Sequence, residues 1–222
     1  LVRRLAAAAG TLPSLDEPLP ERLGRIGQQA ADTFAGRESS PESVAALTAI
    51  WSTISTLSAA LRASGCVPTS GSGRVAQINV SDGGVPKRPV ERVEVITRGM
   101  VGDRQGSRQH HGRPWQALSL WSSEVIEQFA ALGDPLAPGL AGENLTLRGL
   151  DWAAVRPGMR LRIGTVLAET TSWAIPCRHN AQWFRDGDFR RMSHERGPVS
   201  RLYATVVEPG TVAVGDAVTV LP

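Results

Sequence analysis

The chain has 222 residues, with 24 Lys and Arg against 21 Asp and Glu and a formal net charge of +3. Its 41% hydrophobic and 20% charged residues are ordinary for a globular protein and exclude a wholly disordered chain. Two cysteines cannot build a disulfide framework, and no stretch approaches the roughly 20 apolar residues of a membrane helix. The small positive excess does not indicate a nucleic-acid-binding protein. We therefore expect a cytoplasmic globular protein without membrane or nucleic-acid partners, whose many arginines could hold an anion.

Residues 1–65 are predicted to form a helical N-terminal region. The clearest helix covers 42–63, where apolar residues recur at three- and four-residue steps and Gly65 follows the end. An earlier helix is predicted at about 20–35. Two short helices cannot bury a large core alone, and neither carries residues that suggest chemistry. We expect their apolar faces to pack against the rest of the chain or against a second copy in a homodimer.

Residues 66–73 have the Pro, Ser and Gly content of a linker, and residues 74–222 are rich in predicted strands. The 23 glycines and 15 prolines of the chain indicate many turns between short strands. A helix is predicted from Ser122 to Leu132 and another near 180–185. Strands are predicted at 74–80, 90–97, 143–147, 159–163, 165–172, 201–207 and 212–220. Their length and spacing favour a closed barrel over a sandwich or a βαβ sheet.

Cys177 is the first candidate for chemistry, because Arg178 and His179 follow it directly. Cationic neighbours favour the thiolate, which is the form of cysteine that binds metals and attacks electrophiles. An inert buried thiol is the ordinary alternative for a single cysteine. Cys66 stands in the linker without such neighbours, so a cysteine-rich zinc site is not expected.

The second candidate is the glycine-rich, basic segment 99–120. Its glycines allow the backbone to approach a ligand closely, and its clustered positive charge suits a phosphate or another oxyanion. The basic residues in question are Arg104, Arg108, His110, His111 and Arg113. A solvated surface loop is the alternative. The glycine spacing matches neither a Walker loop nor a dinucleotide-binding fingerprint.

Further polar groups stand beside glycine turns. Glu143 and Asn144 follow Gly142 at the start of a predicted strand, where a carboxylate and an amide could hydrogen-bond a polar heterocycle. Lys87 is the only lysine of the chain and follows the Gly83–Gly84 turn, which could present its ammonium group to a ligand. For each of these residues the alternative is an ordinary solvated side chain.

In chain order, these segments resemble the MOSC domain, the molybdenum cofactor sulfurase C-terminal domain family. The resemblance is to the branch that includes the bacterial hydroxylaminopurine-resistance proteins. It covers about residues 74–222, and the helical N-terminal region lies outside it. The matching segments are SDGGVPKRPV, GMVGDRQ followed by HHGRPWQALSLWS, PGLAGENLTLRGLDW, IPCRHNAQWFRDGDF and LYATVVEPGTVAVGDAVTV.

The resemblance implies a mainly β fold, α+β overall, in which a MOSC-type β-barrel carries a few helices. It implies that the barrel binds molybdenum cofactor (molybdopterin), with Cys177 as catalytic residue and metal ligand and His111 as a second catalytic candidate. The cofactor-binding residues that it implies are Lys87, Arg104, His111, Glu143, Asn144 and Arg178. Relatives reduce N-hydroxylated small molecules with electrons from a separate donor protein, and we predict the same oxidoreductase function here.

The chain departs from the family pattern at two places beside the predicted site. His111–Gly112–Arg113 replaces the usual His-Gly-Gly, and Trp115–Gln116 stands where a charged residue commonly precedes the alanine. Two other functions remain open. Cys177 could act as a nucleophile in a sulfur-carrier, sulfur-transfer or lyase-type enzyme, with His179 or His111 as base. The barrel could also be a non-catalytic carrier module that binds the pterin without turnover.

Overall fold

The computed structural model describes residues 41–106 and 111–222. The helix predicted at about 20–35 and the basic residues Arg108 and His110 lie outside the described residues. The first described element is helix α1 (Pro41–Ala63), which agrees with the helix predicted at 42–63.

Helix α1 forms because its sequence suits both its ends and its packed face. Pro41 occupies the first turn, where the missing N–H of proline costs no helical hydrogen bond. Gly65 follows the last turn with φ of +67°, a left-handed conformation that glycine adopts without strain. Between them, the apolar residues Ile54, Leu57 and Leu61 recur at helical spacing and are buried.

Short strands make up most of the remaining regular structure. In chain order they are β1 (Ser72–Val80), β2 (Arg88–Val90), β3 (Arg92–Ile96), β4 (Gly99–Met100), β5 (Leu118–Ser122), β6 (Leu145–Arg148), β7 (Arg160–Ile163), β8 (Val166–Trp173), β9 (Leu202–Glu208), β10 (Gly210–Ala213) and β11 (Ala217–Leu221). Helix α2 (Ser123–Ala131) follows β5 and agrees with the helix predicted from Ser122 to Leu132. Short 3₁₀ helices lie at Pro114–Gln116, Arg178–Trp183, Phe189–Met192 and His194–Arg196.

Seven strands close into a barrel in the order β11–β7–β8–β9–β5–β6–β1. Strand β1 pairs back onto β11, with Gly73 opposite Val218, and this pairing closes the sheet. Strand β2 extends β1, while β10, β3 and β4 form a separate small sheet. The β5–β6 pair is parallel, and the other pairs around the barrel are antiparallel. The predicted mainly β barrel with a few helices is confirmed.

Two of the predicted strands are each divided in the structure. The segment 90–97 separates into β2 and β3, and the segment 212–220 separates into β10 and β11 around Gly215, where φ is +87°. The halves pair with different partners, since β10 joins β3 and β11 joins β7. Local composition is strand-like throughout, so only the pairing partners reveal these breaks. The helix predicted near 180–185 is the 3₁₀ helix Arg178–Trp183.

Helix α1 contributes to the same hydrophobic core as the barrel. Ile54 and Leu57 belong to one continuous cluster of buried residues that includes strands on every side of the barrel. Trp51 of α1 stacks on Trp115, with ring centroids 6.3 Å apart. The division into a helical region at 1–65 and a barrel domain at 74–222 stays a prediction. None of the helices within 41–106 and 111–222 has the length and apolar character needed to span a membrane.

Candidate functional site

A cavity of about 440 Å³ lies against strands β5 and β9. Its volume is in the range of about 300–1,000 Å³ that is typical of small-molecule and cofactor sites. Five of the seven predicted site residues line this cavity and two do not. The five are Lys87, Arg104, His111, Asn144 and Cys177.

The barrel topology explains why residues so far apart in sequence meet here. Strands β5 and β6 run parallel, while β9, β8 and β1 run antiparallel to their neighbours. In this register Leu120 of β5 lies between Leu145, the first residue of β6, and Leu202, the first residue of β9. Ile78 near the end of β1 lies opposite Leu145, and Trp173 at the end of β8 lies opposite Leu202. The segments that adjoin this row of paired residues carry Lys87 after β1, Asn144 before β6 and Cys177 after β8.

A buried ion pair forms one wall of the cavity. The Lys87 ammonium lies 2.6 Å from Oδ2 of Asp103, and the two side chains are only 10% and 4% exposed. Asn144 donates from Nδ2 to the same carboxylate oxygen at 2.8 Å, and the Ser119 N–H donates to Asn144 Oδ1 at 3.1 Å. Burial lowers the pKa of Lys87, although Asp103 opposes this effect.

Glu143 lies behind this wall and does not line the cavity. Its side chain is fully buried, and its Oε1 accepts hydrogen bonds from the Gly139 N–H at 2.6 Å and from Thr146 Oγ1 at 3.0 Å. Burial raises the pKa of Glu143, because the charged form loses its hydration. These contacts orient the loop before β6 from the inside, and Asn144 faces the cavity.

Cys177 is half-buried at the end of an extended segment and precedes the 3₁₀ helix Arg178–Trp183. Its carbonyl accepts the Asn180 N–H at 2.9 Å, and this bond holds the thiol beside the turn. Opposite, Tyr203 of β9 places its hydroxyl 3.3 Å from Nδ1 of His111. The cavity therefore brings a thiol, an imidazole and a phenol into one lining.

Of the two exposed arginines among the predicted site residues, Arg104 and Arg178, one lines the cavity and the other does not. Arg104 lines the cavity, but its side chain is 76% exposed and pairs at 3.0 Å with Asp82, which is 79% exposed. Arg178 is exposed and is not part of the lining. The structure instead places Arg201, a buried residue beside β9, in the cavity wall, where it donates to the carbonyl of Ala141.

The chemistry of this lining can be tested against a polar, anionic ligand. Several of its residues carry a buried polar atom with no hydrogen-bond partner within the described parts of the chain. These atoms are Oε1 of Gln116, Oγ of Ser119, Oδ1 of Asn180 and Nε of Arg201. Buried polar atoms without partners are uncommon in proteins, and a ligand is one explanation for them. The wall thus combines buried cations, unsatisfied polar atoms and one thiol, which fits a phosphorylated heterocycle that carries a soft metal.

Glycine backbones shape the floor between the two loops that hold the ion pair. Gly84 and Gly106 both line the cavity and approach each other closely. A Cβ atom on Gly106 would lie 2.8 Å from the Gly84 nitrogen, which is too close for any side chain. Gly106 therefore permits a close approach between two backbone segments, and the approach to a ligand that the sequence predicts stays a prediction.

Sequence reasoning did not single out Asp103, Arg201 or Tyr203 as site residues. Asp103 stands between Gly102 and Arg104 inside the matching segment GMVGDRQ, so its position was a usable signal. Arg201 and Tyr203 stand in a predicted strand and carry no local mark of function. Their place in the cavity depends on the pairing of β9 with β5 and β8.

No cluster of three or more His, Cys, Asp or Glu side chains within 41–106 and 111–222 has an arrangement that could hold a metal ion. Cys177 is the residue that the sequence predicts as a metal ligand, and it lines the cavity.

Comparison with known proteins agrees with the family suggested by the sequence. The model of the MOSC domain matches residues 107–219, just over half of the chain. YflK of Bacillus subtilis (strain 168) is 29% identical over 136 residues, and the match covers 60% of this chain and 60% of YflK. The chain thus aligns with less than two thirds of that relative's length.

Solved structures share the fold. The YUAD protein from Bacillus subtilis is 17% identical with a TM-score of 0.56, and the match covers 68% of this chain and 97% of that protein. YiiM from Geobacillus stearothermophilus is 22% identical with a TM-score of 0.55, with coverage of 68% and 75%. YiiM from Escherichia coli is 23% identical with a TM-score of 0.52, with coverage of 70% and 71%.

Proposed function

Because the chain belongs to the MOSC domain family, we propose that its cavity binds a molybdenum–pterin cofactor of the molybdopterin type. The observation that carries this proposal is the composition of one cavity. It contains a half-buried thiol, two buried cations and several buried polar atoms that lack partners among the described residues. The cofactor has a matching group for each, namely a metal, a phosphate and a hydrogen-bonding heterocycle.

The roles of the residues follow from their place in the wall. Lys87 and Arg201 would hold the phosphate, since both are cationic and shielded from solvent. Asn144, fixed by Asp103 and by the Ser119 N–H, would present its amide to the heterocycle. Cys177 would donate its thiolate to the metal, because a thiolate is a soft ligand suited to molybdenum held by a dithiolene. Arg104 at the rim would add positive charge near the entrance.

We further propose that the protein reduces N-hydroxylated small molecules. The reaction removes oxygen from an N–OH group as water and consumes two electrons and two protons. The bound cofactor would supply the two-electron chemistry, which amino-acid side chains do not provide. The electrons come from a separate donor protein in this proposal. His111, whose Nδ1 contacts the Tyr203 hydroxyl, would hold and deliver a proton from Nε2.

The test is to purify the protein from a host that synthesises the cofactor, then to measure molybdenum by mass spectrometry and N-hydroxy reduction with a chemical electron donor. Cys177→Ser should lower the reductase activity at least roughly 100-fold, since even outer-shell changes at metal sites cost about 10–100-fold. Cys66→Ser is the matched control, because Cys66 lies outside the cavity lining, and it should leave activity unchanged.

The other outcomes separate the alternatives. If wild-type protein contains no molybdenum even after reconstitution, the proposed function is contradicted. Molybdenum and pterin without reduction of any N-hydroxy substrate would indicate a carrier module. A persulfide trapped on Cys177, with no dependence on molybdenum, would indicate a sulfur-transfer enzyme.

A further inference from the structure

Asp103 occupies the centre of the buried polar network, yet no sequence motif assigns it a role. Its carboxylate contacts the only lysine of the chain, and both residues line the cavity. A carboxylate is an unexpected neighbour for a group that would bind an anion, because it competes for the same ammonium. The geometry around Asp103 explains why it is there.

The carboxylate is fixed from the barrel side by two donors besides Lys87. The Ser81 N–H donates to Oδ1 at 2.8 Å, and Asn144 Nδ2 donates to Oδ2 at 2.8 Å. Asn144 is itself fixed by the Ser119 N–H of β5. The position of the Asp103 carboxylate is therefore set from the end of β1 and the start of β5, whereas Lys87 is a flexible side chain from a loop. The ammonium takes its position from the carboxylate, not the reverse.

We propose that Asp103 is a positioning residue for anion binding, which places the Lys87 ammonium at the cavity wall and keeps it protonated there. This inference deepens the proposed function, and it needs only that the cavity binds an anionic group. It assigns Asp103 no contact with the reacting atoms. Its action on the ligand passes through Lys87.

The charges that face Lys87 show how this works. Burial disfavours the ammonium and lowers the pKa of Lys87, and Arg201 acts in the same direction. Asp103 acts against both and is the strongest of the groups that do so, followed by the buried Glu143 when its carboxyl is ionised. Without the Asp103 charge, Lys87 would lose its proton at a lower pH.

Removing the charge has two opposing effects on a bound anion. The anion no longer competes with a carboxylate for Lys87, which favours binding while Lys87 is protonated. Lys87 also loses its proton more easily, which weakens binding on the alkaline side. The pH therefore decides whether removal of the Asp103 charge strengthens or weakens anion binding. Loss of a residue with a merely structural role would not reverse its effect on binding with pH.

The experiment measures the binding of sulfate to the folded protein by calorimetry between about pH 6 and pH 10, a range in which side-chain lysines titrate when their pKa is lowered. Sulfate is the probe because its own charge stays constant over this range. In Asp103→Asn we expect binding at the acid end to be equal to or tighter than in wild type. We expect the alkaline loss of binding to begin about one pH unit lower, which corresponds to roughly tenfold weaker binding there.

Two further variants separate charge from placement. Asp103→Glu keeps the charge but moves the ammonium by one methylene, so sulfate should bind more weakly at every pH with an unchanged pH midpoint. Asp82→Asn is the matched control, because Asp82 forms an exposed ion pair with Arg104 and lies outside the lining. Asp82→Asn should keep the wild-type pH midpoint of sulfate binding.

The inference is overturned by equal pH midpoints in wild type and Asp103→Asn, by wild-type affinity in Asp103→Glu, or by the absence of sulfate binding to wild type. Its failure is distinguishable from that of the proposed function. If sulfate binding depends on Asp103 but the protein contains no molybdenum, the inference is supported and the proposed cofactor is contradicted. If the protein contains molybdenum but wild type and Asp103→Asn have equal pH midpoints of sulfate binding, the proposed cofactor is supported and the inference is contradicted.

Discussion

Neighbouring residues of the site take different roles because the chain turns them to different sides. Asn144 faces the cavity, and Glu143 points to the interior behind it. Glu143 Oε1 accepts two hydrogen bonds, while its Oε2 has no partner in the part of the chain that the structure covers. A buried carboxyl in such surroundings favours its neutral form, so protonation at Glu143 is linked to folding.

Glu143→Gln should change how stability depends on pH. The unfolded chain titrates this carboxyl near 4.5, and the folded protein holds its proton to a higher pH. The stabilisation by the proton is therefore complete below the unfolded value and is lost as pH rises through the folded value. We expect the unfolding free energy of wild type to decline relative to Glu143→Gln as pH rises above 4.5. Urea unfolding at several pH values measures this difference, and parallel curves would contradict it.

Helix α2 shows how one side chain can end a strand and begin a helix. Ser122 is the last residue of β5 and the N-cap of α2. Its Oγ accepts the N–H groups of Glu124 and Val125, which have no partner within the helix. This cap fixes the direction in which the chain leaves the barrel after β5.

Ser122→Ala should destabilise the protein by about 1 kcal/mol, because two N–H groups at the start of α2 lose their acceptor. Denaturant unfolding measures the change. Thr53→Ala in α1 is the control, since the Thr53 hydroxyl lies on an exposed face and donates to the Ala49 carbonyl of its own helix. Its effect should stay within about 0.5 kcal/mol. Equal effects of the two substitutions would show that the cap contributes nothing.

At the scale of the whole molecule, helix α1 and the closed barrel share one core. Besides the buried contacts of Ile54 and Leu57, Arg62 forms an ion pair at 2.7 Å with Glu169 of β8. The partly buried Leu47, Ile50 and Trp51 of α1 also pack against this core. We therefore expect α1 to unfold together with the barrel.

Leu57→Ala should lower the unfolding free energy by about 2–5 kcal/mol, the usual cost of such a cavity in a core. The transition should remain single, and far-UV and tryptophan signals should coincide. Ala59→Ser on the exposed face of α1 is the control and should change the free energy by less than about 0.5 kcal/mol. An early, separate transition in Leu57→Ala would instead support an independent helical region within 1–65.

Local patterns in the sequence determined most of the regular structure. Helix α1, helix α2 and the strands from β6 to β9 lie within a few residues of their predicted places, whereas no strand was predicted at β5. This agreement is physical, because apolar periodicity, capping and turn residues act between neighbours along the chain. The ordered segments also sufficed to recognise the family, and five of the seven predicted site residues line one cavity.

The pairing of distant segments decided the rest. The sequence alone determined a turn-rich barrel with a small basic excess and candidate residues in several loops. Only the tertiary structure decided that Asp103 meets Lys87 and Asn144, that Arg201 and Tyr203 join them, and that Glu143 and Arg178 stand apart. The reason is that strand register fixes which side of each loop faces the cavity, and register depends on partners that no local pattern specifies.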